Sequence, residues 1–212
     1  MRARPARPET AQVKNAQVKV WDPFVRAFHW TTVSLVGINF LTPGSGTRPI
    51  HVAIGYAVLG LVAARVLWGL VGTRHARFAN FVRHPRTVLT YLRQLRQGRA
   101  PRHLGHNPAG AAMIVLLLLT LLGIGTTGWL SQTNAYYGVS WVMDVHAFLA
   151  YGLLWLVGLH VAGVLLSSLM HRENLVRAMF TGRKPLVSAA GHRPADLQRE
   201  DGAAAASFGH AD

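Results

Sequence analysis

The stretch that decides the fold is MDVHAFLAYGLLWLVGLHVAG, residues 143–163. It is apolar enough to form a transmembrane helix, yet it carries two histidines, His146 and His160. An ionisable side chain at membrane depth costs on the order of 3 kcal/mol even on lenient insertion scales, so it usually has a partner and a task. These two imidazoles therefore point to a functional site on this helix.

The composition of the whole chain agrees with a membrane protein. Its 212 residues are 50% apolar and only 14% charged, whereas soluble domains carry about 25% charged residues. The length predicts a single domain. The chain has no cysteine, which excludes disulfides, thiolate-held iron–sulfur clusters and covalently attached haem. A cofactor held by histidine is compatible with this composition.

Four apolar stretches approach the roughly 20 residues that cross a bilayer: Phe24–Leu41, Ile50–Val71, Ala109–Leu130 and Trp141–Met170. We therefore predict an all-α, integral membrane four-helix bundle over residues 23–184. A cytoplasmic segment, 1–22, precedes it, and a disordered cytoplasmic tail, 185–212, follows it. The basic first 27 residues lack a short apolar core with a cleavage site, so no removable signal peptide is expected.

The distribution of positive charge predicts the orientation of these spans. Of the 22 lysines and arginines, six lie before or in the first turn of the first span, through Arg26, eight lie between the second and third spans, and six follow the fourth. The opposite side carries only Arg48, and Arg65 falls inside the second span. The positive-inside rule then places both termini and the 73–108 loop in the cytoplasm. Because topology alone accounts for the net charge of +14, no nucleic-acid partner is expected.

The cytoplasmic loop contains a candidate amphipathic helix, HPRTVLTYLRQLRQGR, residues 84–99. Apolar residues recur at helical spacing between arginines, a pattern typical of a helix that lies on an anionic leaflet. We interpret it as an anchored connector, with a docking surface for a cytoplasmic partner as the alternative.

Four histidines sort by depth into two pairs, because successive spans run in opposite directions. His29 and His160 lie toward the cytoplasm and form the inner pair; His51 and His146 lie toward the periplasm and form the outer pair. On the fourth span the two histidines are 14 residues apart, which is about 21 Å of rise and roughly 40° short of four full turns. Both imidazoles therefore project from nearly the same face of this helix.

Two bis-histidine levels across a bilayer fit haem iron better than the alternatives. A haem held by two imidazoles has no open coordination position, which suits electron transfer, and the macrocycle fits between helices that supply one axial ligand each. Structural zinc needs about four ligands, and each level supplies two histidines and no cysteine. A proton relay needs a chain of ionisable groups, and the only acidic residue within an apolar stretch, Asp144, lies at the mouth of the fourth. Histidines that merely hydrogen-bond within a bundle are the remaining alternative.

Residues near the predicted ligands are compatible with bound haem. Small residues follow three of the ligands within one helical turn: Gly55, Ala150 and Gly163. Arg65 lies 14 residues after His51, so it shares the face of His51 at the level of the inner pair. We predict that Arg65 contacts a propionate of the inner haem; the equal alternative is that its side chain snorkels to the cytoplasmic interface.

The motifs around these residues are RAFHW at His29, HVAIGY with RVLWG on the second span, GHNPAG before the third span, and DVH with GLH on the fourth. This pattern resembles the bacterial diheme cytochrome b561 family, to which the membrane cytochrome b subunits of nickel–iron hydrogenases and formate dehydrogenases are related. The resemblance covers about residues 20–184. It implies two b-type haems, with His29 and His160 on the inner iron and His51 and His146 on the outer iron. It also implies location in the bacterial inner membrane.

The family resemblance further implies that electrons pass between the quinone pool and a redox partner, which we expect to be periplasmic. The alternative is a haem-containing anchor subunit of a respiratory enzyme complex. No motif identifies the quinone site, and whether the chain is itself a quinone-linked oxidoreductase is left open. Asn107 and Pro108 are a typical N-cap and first-turn pair for the third span. His106 is therefore interpreted as an interfacial residue at the entry to this span, with a propionate or quinone contact as the alternative. Surface positions are expected for the other histidines: His75, His84, His103, His171, His192 and His210.

Overall fold

The computed structural model describes residues 17–74 and 76–186. In chain order the elements are β1 (Gln17–Lys19), α1 (Pro23–Phe40), a 3-10 turn (Ser45–Thr47), α2 (Arg48–Val71), α3 (Phe78–Phe81), α4 (Pro85–Arg96), α5 (Pro108–Leu130), α6 (Ser140–His171), α7 (Leu175–Thr181) and β2 (Arg183–Pro185). The four predicted stretches are helices α1, α2, α5 and α6, with ends within two residues of the expected ones.

Three helical segments of the described chain are long and apolar enough to cross a membrane: Ser45–Val71, Pro108–Leu130 and Ser140–His171. Helix α1 is a fourth long helix and packs against α2, but it does not meet this standard. Its 18 residues include Arg26, His29 and Asn39, which lower its mean hydropathy. The chain is thus mostly helical, with three candidate membrane spans.

A small apolar core joins the long helices. Val58 and Val62 of α2, Leu118 and Leu121 of α5, and Leu153 of α6 are buried together. The opposite faces of these helices are also apolar, and their large side chains are exposed: Phe148 is 76% exposed and Trp155 83%. A helix that is hydrophobic all round and still exposes such residues is suited to lipid rather than to water.

The short elements form a basal layer, which we define as β1, α3, α4, α7 and β2. In this layer β1 pairs with β2 in an antiparallel ladder, with Val18 opposite Lys184. The segment before α1 and the segment after α7 therefore lie at the same end of the long helices. Gly182 ends α7 with φ +77°, and its carbonyl accepts from the N–H groups of Val20 and Trp21 at 2.8 and 3.1 Å.

A side-chain cap defines where α5 begins. The Asn107 side chain accepts from Gly110 N at 2.7 Å, and Pro108 occupies the first turn of α5, as the sequence predicts.

The predicted amphipathic helix is α4, which packs against α5 and buries Tyr91. Leu89 and Leu92 stay exposed. Burial raises the pKa of Tyr91 to about 12.

Candidate functional site

The structure brings the four predicted histidines together as two facing pairs. The ring centroids of the inner pair, His29 and His160, are 6.4 Å apart with an interplanar angle of 55°. Those of the outer pair, His51 and His146, are 6.2 Å apart at 63°. Helix α6 contributes one histidine to each pair, while α1 and α2 contribute the others. All four side chains are half-buried.

The gap within each pair has the width of one metal atom. Two imidazoles on opposite sides of one metal, with bonds of about 2.0 Å and about 1.1 Å from nitrogen to centroid, place their centroids about 6.2 Å apart. A direct N–H···N hydrogen bond would bring the centroids to about 5 Å. Among the described residues, no hydrogen bond joins the two rings of either pair. The spacing therefore fits an axial pair on haem iron.

Hydrogen bonds fix the tautomer of both outer histidines. His51 Nδ1 lies 3.2 Å from the backbone carbonyl of Asn39, and His146 Nδ1 lies 3.1 Å from that of Ile124. A carbonyl only accepts, so each Nδ1 carries the proton and donates it. A neutral imidazole has one N–H, which leaves Nε2 of both rings unprotonated and able to bind a metal. This arrangement is the usual one for metal-ligating histidines.

The inner pair lacks this support. His29 Nδ1 is buried and has no hydrogen-bond partner in the described structure. The His29 ring instead meets the indole of Trp30 edge-on, at 4.9 Å between centroids. Trp30 in turn stacks on Phe180 of α7, with centroids 4.1 Å apart. His29 is therefore held by packing against the basal layer rather than by a hydrogen bond to its Nδ1.

Two residues of α5 that the sequence analysis missed contact His146. Thr127 Oγ1 lies 3.1 Å from His146 Nδ1. A Cβ on Gly128 would lie 3.2 Å from His146 Cε1, so the absence of a side chain there lets the ring approach α5. The sequence feature that could have indicated these contacts is the run of small and polar residues GTTG, residues 125–128, in an otherwise apolar helix.

Among the small residues predicted beside the ligands, two face open space. A Cβ added at Gly55 or Gly163 would meet nothing within 4 Å. Ala150 is half-buried. Open space near His51 and His160 is compatible with a flat group beside each ligand.

Arg65 is buried at the basal end of α2, with 2% of its surface exposed. Its Nη2 donates to the carbonyl of Ala76 at 3.3 Å, and its guanidinium lies 5.1 Å from the ring centroid of Phe78. Nη1 is buried without a hydrogen-bond partner in the described structure. A buried donor of this kind is suited to an anion, so the arginine fits a propionate as well as the basal layer.

Next to Arg65, a carboxylate organises the start of α1. Asp22 accepts from Thr73 Oγ1 at 2.6 Å, from Val25 N at 2.8 Å and from Trp68 Nε1 at 3.0 Å. Burial raises the pKa of Asp22, but these hydrogen bonds and the charge of Arg65 outweigh burial and bring it below its usual value. The Asp22 carboxylate at the start of α1 therefore lies within the electrostatic influence of Arg65 on α2.

The remaining histidines are mostly structural in their surroundings. His106 lies between the rings of Trp21 and Phe81, with centroids 4.5 and 4.4 Å away, at the entry to α5 as predicted. His84 is exposed, and His103 is half-buried beside Tyr91. The expectation of a surface position is wrong for His171, which is 8% exposed because the last turn of α6 packs into the basal layer. His75, His192 and His210 lie outside the described residues.

Metal chemistry other than paired histidines has little support in the described chain. Within residues 17–74 and 76–186, no group of three or more His, Cys, Asp or Glu side chains comes together. A tetrahedral zinc centre needs such a group. A haem needs only two axial ligands, because the porphyrin supplies the other four.

A comparison with protein families identifies one family model that covers both histidine pairs. The family model described as prokaryotic cytochrome b561 matches residues 20–182, which is most of the chain and includes all four histidines of the two pairs. No curated protein matches the chain significantly.

Proposed function

Because the chain belongs to the prokaryotic cytochrome b561 family, whose members carry electrons through b-type haem in membranes, we propose that it holds two b-type haems and transfers electrons across the bacterial inner membrane. In this proposal His29 and His160 hold the inner haem, and His51 and His146 hold the outer haem. Electrons pass between the quinone pool and a redox partner on the periplasmic side.

The observation that carries the proposal is the spacing of the two pairs. Both ring-centroid distances, 6.4 and 6.2 Å, agree with the separation of about 6.2 Å for two imidazoles on one metal. Haem iron with two axial imidazoles supplies one-electron redox chemistry without an open position for oxygen. The histidines of α6 are about 21 Å apart along the helix axis, which is most of the hydrocarbon thickness.

Each part of the site has a distinct task in this proposal. The outer histidines present Nε2 to iron, because Nδ1 of each is used by a backbone carbonyl. Of the inner histidines, His29 is held by Trp30, which packs on Phe180. Arg65 places the unpaired Nη1 for a propionate of the inner haem and raises the local positive potential. The apolar faces of the helices keep water away from both levels.

The proposed topology has four spans with both termini in the cytoplasm. Helix α1 is about 27 Å long and packs beside α2, so it can cross with the three more apolar helices. The pairing of β1 with β2 places both ends of the described chain at one end of the bundle. That end carries most of the arginines, which is the cytoplasmic side under the positive-inside rule.

The central test is the haem content of single histidine variants. Purified protein is quantified by the pyridine haemochrome method, with His→Ala variants at positions 29, 51, 146 and 160. We expect two protohaems per chain in the native protein and one in each variant. Potentiometric titration identifies which haem is lost: the variants at 29 and 160 lose one component, and those at 51 and 146 lose the other.

The exposed His84 provides the matched control, and His84→Ala should keep both haems. A single haem in the native protein, or losses that pair differently, would overturn the assignment. Reduction of the isolated protein by a quinol analogue tests the quinone link. A protein that loads haem but is reduced only when a partner subunit is present would favour the role of an anchor subunit.

A further inference from the structure

We propose that Thr127 is a positioning residue for the outer haem: its hydroxyl accepts a hydrogen bond from His146 Nδ1 and so sets the ligand strength of that histidine. This inference rests on the proposed function, because it takes His146 as an iron ligand. No catalytic contact with substrate or haem is assigned to Thr127.

The other hydrogen bonds of Thr127 determine the direction of its bond with His146. Thr127 Oγ1 lies 2.8 Å from the carbonyl of Gly123 and 3.0 Å from that of Ile124. Because carbonyls only accept, the single hydroxyl proton is directed to them. The lone pairs of Oγ1 are then left to accept from His146 Nδ1 at 3.1 Å. The same N–H is shared with the carbonyl of Ile124, also at 3.1 Å.

The local sequence of α5 makes this contact possible. The carbonyl of Ile124 lies on the surface of α5, where the side chain of the residue four positions later would normally shield it from a neighbouring helix. That residue is Gly128, and a Cβ there would lie 3.2 Å from His146 Cε1 and 3.6 Å from Nδ1. The sequence therefore places a hydroxyl at 127 and open space at 128, both against one imidazole.

The effect on iron follows from ligand basicity. An acceptor at Nδ1–H makes Nε2 a stronger donor, which stabilises the oxidised metal and lowers its reduction potential. Removal of the Thr127 hydroxyl should therefore raise the potential of the outer haem. The inner haem should be unaffected, because none of the hydrogen bonds of Thr127 in the described structure reaches His29 or His160.

The test compares three variants of the full-length, haem-loaded protein. Thr127→Val removes the hydroxyl and keeps the shape, Thr127→Ser keeps the hydroxyl, and Thr120→Val is the matched control. Thr120 lies two turns away on α5, is 9% exposed and bonds only the carbonyl of Leu116 in the described structure. The readouts are potentiometric titration, the electron paramagnetic resonance spectrum of the oxidised protein, and haem content.

We expect Thr127→Val to raise the midpoint potential of one haem and to shift one low-spin resonance, while Thr127→Ser and Thr120→Val match the native protein. Loss of one haem in Thr127→Val but not in Thr127→Ser would also support the proposal. Thr127→Ala provides the same hydroxyl deletion if the valine variant does not accumulate.

Two results would overturn the positioning role and leave the proposed function intact. One is a protein with two haems and unchanged potentials in Thr127→Val. The other is an equal shift in Thr120→Val, which would show a general effect of packing. A native protein without two haems would overturn the proposed function and this inference with it.

Discussion

Neutralisation of Glu173 should destabilise the basal layer strongly. Its carboxylate forms an ion pair with Arg102 Nε, and its Oε2 lies 3.7 Å from Lys184 Nζ. The side chains of the three residues are only 4%, 1% and 6% exposed, respectively. Arg102 also donates to the carbonyls of Pro185 and Leu186, at 2.6 and 3.0 Å. One carboxylate therefore contacts two buried cations.

The expected magnitude follows from what remains after the change. Removal of one partner from a buried ion pair costs about 3–5 kcal/mol, because the other charge stays buried without compensation. Glu173→Gln keeps one acceptor oxygen, so we expect a loss of about 3 kcal/mol in the free energy of unfolding. The ion pair connects the segment before α5 with the link between α6 and α7, so the β1–β2 ladder should open with it.

The assay is equilibrium unfolding by sodium dodecyl sulfate in mixed micelles, followed by tryptophan fluorescence and haem absorbance. The exposed Arg177 provides a control, and Arg177→Gln should change the unfolding free energy by less than about 0.5 kcal/mol. A combined Arg102→Met and Glu173→Met variant should lose less than the sum of its two single changes. A loss below about 1 kcal/mol in Glu173→Gln would refute the reasoning.

Three other perturbations test the outer pair and the basal end. Gly128→Ala should displace the His146 ring by a few tenths of an ångström and shift one low-spin resonance, whereas Gly60→Ala, which meets nothing within 4 Å, should not; equal spectra would contradict the close approach. Gly182→Ala should lower the free energy of unfolding by about 1–2 kcal/mol, because residue 182 has a left-handed backbone. Gly138 has the same φ of +77°, but a Cβ there would meet nothing within 4 Å, whereas a Cβ at 182 would lie 2.8 Å from the Trp21 carbonyl. Gly182→Ala should therefore cost more than Gly138→Ala, and equal losses of unfolding free energy would argue against that clash. The pKa of Asp22 is lowered in the folded protein, so its contribution to stability is present above the usual pKa of aspartate and is lost as the pH falls through the folded value. When the free energy of unfolding is measured against pH in acid, its slope should be smaller in Asp22→Asn than in the native protein. Equal slopes would exclude a stabilising role of the Asp22 carboxylate.

Much of the fold was predictable because hydrophobic length and helix capping are local signals. The start of α5 follows from Asn107 and Pro108, which the structure shows as cap and first turn. The depth of each histidine follows from the alternating direction of the helices. The facing of the two rings in each pair was therefore expected from counting alone, and the structure brings them within 6.4 Å.

The basal layer was not predictable in the same way, because its contacts join distant segments. Arg102 and Glu173 are 71 residues apart in the sequence, and β1, which precedes all the helices in the chain, pairs with β2, which follows them. In the sequence these charges were counted only as topology signals. His171 was misplaced for the same reason, since a histidine in a basic segment has no local feature that indicates burial.

The small residues near the ligands show where single-helix reasoning ends. The sequence analysis searched one turn along each ligand's own helix and found Gly55, Ala150 and Gly163. The glycine that contacts a predicted ligand, His146, is Gly128, on the neighbouring helix. Its position depends on the register between α5 and α6, which is set by packing such as that of Leu149 against Gly123. No periodicity within either helix encodes that register.

Helix α5 explains how the site can be precise without supplying a ligand. Helix α6 contributes a histidine to each pair, but a ligand's protonation and orientation are set by the groups behind it. At the outer level α5 supplies these groups through Thr127, Gly128 and the Ile124 carbonyl. At the inner level the support comes from Trp30 and Phe180, which meet only when α7 packs under α1. Damage to the basal layer should therefore loosen the inner pair first, while substitutions at Thr127 or Gly128 should act on the outer pair alone.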